Sequence, residues 1–296
     1  MRIKALELER CKSVNAEMHG QTRLMTAPKI IDNTDWLKTA AIALVFVDHL
    51  GHYFIEHDQW YRVVGRLAAP TFFFLMGYAQ TRIVPIRWIW YGIILTVLAS
   101  WNNDWNWVVP NILLSFALIR VARPYVQKLA KFNGWATFAI LITVLCAALP
   151  IAGDFVEYGT SGWLWALFGF YLRDCVQIRK DPAPIGETHN AVSLTSGTQA
   201  DATIKAFSAC LIAAVVYVWQ EQISFSFSHK HLATLIFGVG LLSIVLCLFR
   251  RGPSSIQPPK LVARTINLTG RYTLEIYAIQ LAASELIIKL RPDLAT

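Results

Sequence analysis

Residues 36–55 read WLKTAAIALVFVDHLGHYFI, and the fold turns on how this run is understood. At 1.5 Å per residue such a helix spans about 30 Å, the thickness of a bilayer's hydrocarbon core. Yet Asp48, His49 and His52 interrupt it. A charge at mid-membrane costs about 2.5–3.5 kcal/mol on insertion scales, so such groups face a bundle interior or a water-filled cavity. The stretch is therefore read as a transmembrane helix with one polar face.

Composition extends that reading to the rest of the chain. Of 296 residues, 55% are hydrophobic and 16% charged, with a mean hydropathy of +0.43. Soluble domains carry about 25% charged residues. The expected fold is all-α, a polytopic integral membrane bundle. The candidate spans are 36–55, 63–82, 86–101, 108–123, 134–152, 162–176, 204–220, 232–249 and 266–290, nine transmembrane helices in all. The third, fourth and sixth are short, as suits tilted helices at a bundle edge or re-entrant segments.

Charge sets the sidedness. With the N-terminus cytoplasmic, only Arg62, Arg66, Lys230, Lys289 and Arg291 of the 27 basic residues fall outside. This is the positive-inside pattern. It accounts for the net charge of +8 without a nucleic-acid partner, for which no basic–aromatic repeat is present. The expected outer loops, 56–61, 102–107 and 153–161, are acidic or aromatic, and Trp101, Trp105 and Trp107 suit an interfacial belt.

Residues 1–35 are polar and basic, without the apolar core of a signal peptide, and read as a cytoplasmic tail in which RIKALELERCK can form a surface helix. Residues 36–290 make the membrane domain. Within it 177–203, rich in Pro, Ser, Thr and Gly, reads as a flexible cytoplasmic linker. Cys11, Cys146, Cys175, Cys210 and Cys247 form no CxxC pair and read as reduced packing residues.

Asp48 lies about 18 Å along the first span, in its outer half. It shares a helix face with His52, four residues on, while His49, Tyr53 and Glu56 line an adjacent strip. Imidazole titrates near neutrality and is the usual general base, so the strip can do proton chemistry. A structural Asp48–His52 pair is a second reading. A metal site from Asp48, His49, His52 and Glu56 is a third, disfavoured because no second ligand cluster occurs on other spans. Lys38, about 16 Å below His49, reaches the cytoplasmic headgroups and reads by itself as a snorkelling anchor.

The spacing of Lys38 and His49 is also where a resemblance enters. LKTAAIALVFVDHLGHYF resembles the first helix of the TraX family, typically LKxIAxxxMxIDHIG, and WYRVVGRLAAPTFFFLMGYAQT (60–81) resembles that family's next helix. GRYTLEIYAIQL (270–281) is similar to the closing helix shared by TraX proteins and membrane acyltransferase family 3. In that second family a basic residue precedes the histidine of the first helix by the same interval, with Arg where Lys38 stands. Gln280 departs from the pattern, occupying a place where a histidine often closes the last motif. The basic tail and the 177–203 linker are extra to it.

The resemblance implies an integral membrane acyltransferase of the bacterial inner membrane, N-terminus cytoplasmic. It would move an acetyl group from cytoplasmic acetyl-CoA to an acceptor amine or hydroxyl presented from the membrane or the outer face. TraX members are described as acetylating the N-terminus of conjugative pilins, and relatives as acetylating surface sugars; a small metabolite is a further acceptor class. On this reading His49 is the base, oriented by Asp48 or His52. Arg62 and Arg66 stabilise an oxyanion or grip the acceptor, with Tyr53 and Glu275 also at the substrate. Lys38, Arg82, Arg87 and Arg271 hold the CoA phosphates, and no metal is expected.

Plainer roles stand beside these. Arg62 and Arg66 can be interface anchors, and Arg271 and Glu275 an intrahelical pair. Pro70 is expected to kink its helix and free carbonyls toward the cavity, and Phe72, Phe73 and Phe74 to pack. A proton-coupled secondary transporter, with Asp48 and His49 as relay, is the main rival. It would be marked by repeated halves with broken helices, and no internal repeat is visible. A non-catalytic envelope assembly protein leaves the polar strip without a reason.

Overall fold

The structure, a computed structural model, describes residues 31–55, 58–79, 81, 83–132, 134–180, 189–256 and 258–291. Most of the expected cytoplasmic tail, including RIKALELERCK, lies outside the described residues. The described chain is all-helical. Its helices are α1 (Asn33–Tyr53), α2 (Gln59–Gly65), α3 (Ala68–Tyr78), α4 (Ile86–Asn102), α5 (Ile112–Phe132), α6 (Gly134–Ala152), α7 (Gly159–Lys180), α8 (His189–Phe225), α9 (His229–Leu248), α10 (Lys260–Arg271) and α11 (Thr273–Leu290). Among the described residues, three stretches are long and apolar enough to cross a bilayer: α6, Gln199–Phe225 of α8, and α9.

α1 starts before its apolar run because its first turn is capped. Asp32 accepts the Thr34 N–H at 3.0 Å and its own N–H reaches Asp35 Oδ2 at 3.1 Å, a reciprocal capping box. The second expected span is two helices, with a turn at Arg66–Leu67. Pro70 lies in the first turn of α3 and has no N–H to return to the Arg66 carbonyl, four residues back. The Tyr217 hydroxyl donates to that carbonyl at 2.7 Å instead. The freed carbonyl is thus taken up by a side chain of α8 rather than turned toward the cavity. The last expected span is also broken, at Tyr272, between α10 and α11.

The core lies where α7 meets α3 and α8. α7 is not an edge segment: its apolar run is short because Thr160, Ser161, Arg173 and Asp174 flank it, yet the helix extends from Gly159 to Lys180 and is buried through most of its first four turns. α3 is buried nearly all round, as befits a helix apolar on every face. Phe72, Phe73 and Phe74 pack in this core, as expected. Glycines set the spacing: a Cβ at Gly77 would collide with the Ala166 backbone of α7.

α8 shows the two-sidedness of a lipid-facing helix. Ala206, Ala209, Ala213 and Tyr217 are buried against neighbouring helices. Their small side chains allow close approach. Phe207, Leu211, Val215, Trp219 and Ile223, four residues apart, form an exposed apolar ridge on the other side. Such a patch on a soluble protein would be a liability; in a bilayer it faces acyl chains.

The linker reading changes. α7 continues to Lys180 and α8 begins at His189, so residues 189–203 are helical and only 181–188, outside the described residues, lie between the two.

Candidate functional site

α1, α2, α3, α4, α5 and α11, with the α6–α7 connection, surround a cavity of about 590 Å³. Its lining runs from Lys38, Arg87 and Arg271 at one end, through His49, Asp48 and Arg66, to His52, Tyr53 and Glu285 at the other. The volume is in the range of small-molecule sites.

Successive residues of a helix point about 100° apart, and this separates Asp48 from His49. Asp48 faces α2. Its Oδ1 pairs with Arg62 Nη1 at 3.1 Å and lies 3.6 Å from Arg66 Nε. Arg66 also lies 3.4 Å from Glu221 of α8 and donates to the Tyr158 hydroxyl at 2.8 Å. The Phe225 ring underlies both guanidiniums, 4.9 Å from Arg62 Cζ and 4.5 Å from Arg66 Cζ. Two acids therefore balance two arginines, in side chains that are all largely buried. Gly65 makes this possible, because a Cβ there would strike the Asp48 backbone. Arg62 and Arg66 are thus interior residues rather than interface anchors, and Asp48 turns to them rather than to His52.

His49 faces α11. Its Nδ1 is 3.0 Å from Gln280 Oε1, and the Tyr53 and Tyr277 rings lie 6.0 Å from its own. The partner that orients His49 is therefore Gln280, not Asp48 or His52. His52 meets the Tyr53 ring edge-on at 4.6 Å. The Tyr53 hydroxyl donates to Glu285 Oε1 at 2.6 Å, and Asn102 Nδ2 also bonds the Glu285 carboxylate.

Toward the N-terminal end of α1, Lys38 Nζ donates to the Gly270 carbonyl at 3.3 Å. That carbonyl, in the last turn of α10, also accepts from Thr273 Oγ1 at 3.3 Å. Arg87 pairs with Glu275 at 2.6 Å. The expected intrahelical Arg271–Glu275 pair is not formed; Arg271 lies over the Tyr272 ring at 5.4 Å. Glu275 accordingly belongs to the Lys38 end of the cavity and not beside Tyr53 and Arg62. Arg82 lies outside the described residues. Among the described residues no three His, Cys, Asp or Glu side chains are grouped as a metal site would need, and Glu56 lies outside them.

Several residues of the site carry no motif. Glu221 had a signal: an acid closing an apolar run, four residues from Tyr217 and from Phe225. Arg120 is buried in α5, stacked 3.9 Å from the Trp88 ring centroid and donating to the Ile83 carbonyl at 2.9 Å. It lines the Lys38 end. Glu157 accepts the Ile112 N–H at 2.6 Å and so satisfies the first turn of α5. Tyr158 beside it has a φ of +63°, a left-handed conformation rare for an aromatic residue, held as its side chain meets Arg66.

An uncharacterised protein of Rickettsia prowazekii (strain Madrid E) is 29% identical over 139 residues, 46% of this chain and 54% of that protein. Protein TraX of Escherichia coli is 28% identical over 143 residues, 47% of this chain and 55% of the relative. Protein TraX of Escherichia coli strain K12 is 27% identical over 135 residues, 44% and 52% respectively. The chain thus spans about half the length of the curated relatives it matches. No solved structure matches it significantly. The model of the TraX protein family matches residues 33–248, from the first turn of α1 to the end of α9. With that match across most of its length, this membrane protein belongs to the TraX family.

Proposed function

We propose that the protein is a membrane acyltransferase that carries an acetyl group from cytoplasmic acetyl-CoA to an amine or hydroxyl acceptor, with pilin N-termini, sugars and small metabolites as acceptor classes. The observation that carries the reading is the single cavity whose lining includes both Lys38, at its basic end, and His49. A donor entering between Lys38, Arg87, Arg271 and Arg120 meets positive charge suited to phosphates, and its thioester can extend toward the imidazole. Each of the nine apolar segments coincides with a helix or a helix pair. Nine crossings of the inner membrane, N-terminus inside, put the basic end at the cytosol.

Direct transfer then balances without a covalent enzyme intermediate. The acceptor's N–H or O–H proton moves to His49 as the acceptor atom bonds the thioester carbonyl carbon. Collapse of the tetrahedral species breaks the C–S bond, and the imidazolium returns its proton to the leaving thiolate, giving free CoA thiol. Arg62 and Arg66, already matched by Asp48 and Glu221, shape the cavity wall and its field rather than meeting the acceptor as bare cations. The same pairing speaks against a proton relay through Asp48, and so against the transporter reading.

The test uses full-length protein in nanodiscs with radiolabelled acetyl-CoA. Thioester hydrolysis or transfer that disappears in His49→Ala is expected, as is a raised KM for acetyl-CoA in Lys38→Ala at nearly constant kcat. Turnover by His49→Ala at the wild-type rate overturns the assignment.

A further inference from the structure

A neutral imidazole has one basic nitrogen, and which one it is depends on what the other nitrogen donates to. Nδ1 of His49 faces Gln280 Oε1 at 3.0 Å. An amide oxygen only accepts, so this contact requires the proton on Nδ1. We propose that Gln280 is a positioning residue that holds His49 as its Nδ1–H tautomer and thereby makes Nε2 the nitrogen that takes the acceptor's proton. The role in turnover rests on the acyltransfer reading; the tautomer does not.

Of the neighbouring groups, the Asp48 carboxylate and the Tyr53 O–H are committed elsewhere, and the Tyr277 oxygen already has a donor. Asp48 is held by Arg62 and Arg66. The Tyr53 hydroxyl donates to Glu285, and the Tyr277 hydroxyl accepts from Asn111 Nδ2 at 3.1 Å. The ring is therefore oriented by an uncharged amide on α11, while the carboxylates around the cavity serve other partners. Gln280 can fix direction without adding a charge beside the base. In the transfer step Nε2 accepts the proton and later yields it to the thiolate, while Nδ1 keeps its own proton and donates it to the Gln280 oxygen throughout.

The chain's histidines, labelled with ¹⁵N, are read by NMR in nanodiscs, with His49 assigned by difference against His49→Asn. Wild type is expected to show His49 with a protonated Nδ1 and a bare Nε2. Gln280→Met, close in shape but without an acceptor oxygen, should show mixed tautomers. Its kcat should fall roughly ten- to a hundredfold, less than the ~10²–10⁴-fold that a positioned base supplies in full, with the KM for acetyl-CoA within about twofold. Gln280→Glu, which keeps an accepting oxygen, should restore the single tautomer. A bare Nδ1 in wild type overturns the proposal, and so does a tautomer unchanged in Gln280→Met. If Gln280→Met does not fold, the wild-type spectrum still decides. A wild type without thioester turnover defeats the acyltransfer reading alone, since the spectrum reads the tautomer without it.

Discussion

Asp48 and His49 are adjacent in the chain, but their side chains have different neighbours. One joins a four-charge cluster with Arg62, Arg66 and Glu221; the other meets an amide and two tyrosines. Removing one member of a buried ion pair leaves an uncompensated charge and costs about 3–5 kcal/mol. Asp48→Asn is therefore expected to lower the melting temperature in detergent markedly. Adding Arg62→Gln restores the two-against-one charge count toward balance and should recover part of the loss. If the double variant loses as much as the two single losses together, the cluster is not energetically coupled. At this scale the sequence disclosed that Asp48 and His49 matter, because polar groups in an apolar run need a reason. It could not disclose the partners. Arg62 was visible nearby, but Glu221 and Gln280 come from helices far along the chain.

Helices are where the sequence was most legible and also where it misled by averaging. The apolar window 63–82 is continuous, yet the structure divides it at Arg66–Leu67. Hydropathy sees no break because the apolar residues on either side outweigh the single Arg66 in a window average. The break stands because a carbonyl without its helical donor finds Tyr217. Tyr217→Phe removes that donor and keeps the ring. Leaving a buried carbonyl unsatisfied costs about 1–3 kcal/mol, so the variant should melt earlier, with the site loosened where α2 meets Asp48. Equal melting of variant and wild type would show that the break needs no such support. Part of the stretch expected as a linker, 189–203, is helical. Its Ser, Thr and Gly lower helix propensity, but only weakly, and helix α8 runs through 189–203 regardless.

For the whole molecule, the proposed topology assigns each end of the cavity to one side of the membrane. On that topology Trp105, exposed on the connection between α4 and α5, is expected outside. Ile256, exposed between α9 and α10, is expected inside. In a background with the native cysteines replaced, a membrane-impermeant maleimide added to intact cells should label Trp105→Cys at once and Ile256→Cys only after permeabilisation. The reverse pattern would invert the protein and move the Lys38 end away from the cytosolic donor.

By itself, the sequence determined that this is an all-helical membrane protein of the TraX family, with a polar strip on its first helix. Those properties follow from composition, periodicity and local motif, which every residue carries wherever the chain folds. Only the tertiary structure decided that His49 meets Gln280, that Asp48 is matched to two arginines and an acid of α8, and that Glu275 answers Arg87 rather than Arg271. A helix period states which way a side chain points. What it meets there depends on how distant helices pack, and a buried polar group bonds to whatever partner that packing brings within reach.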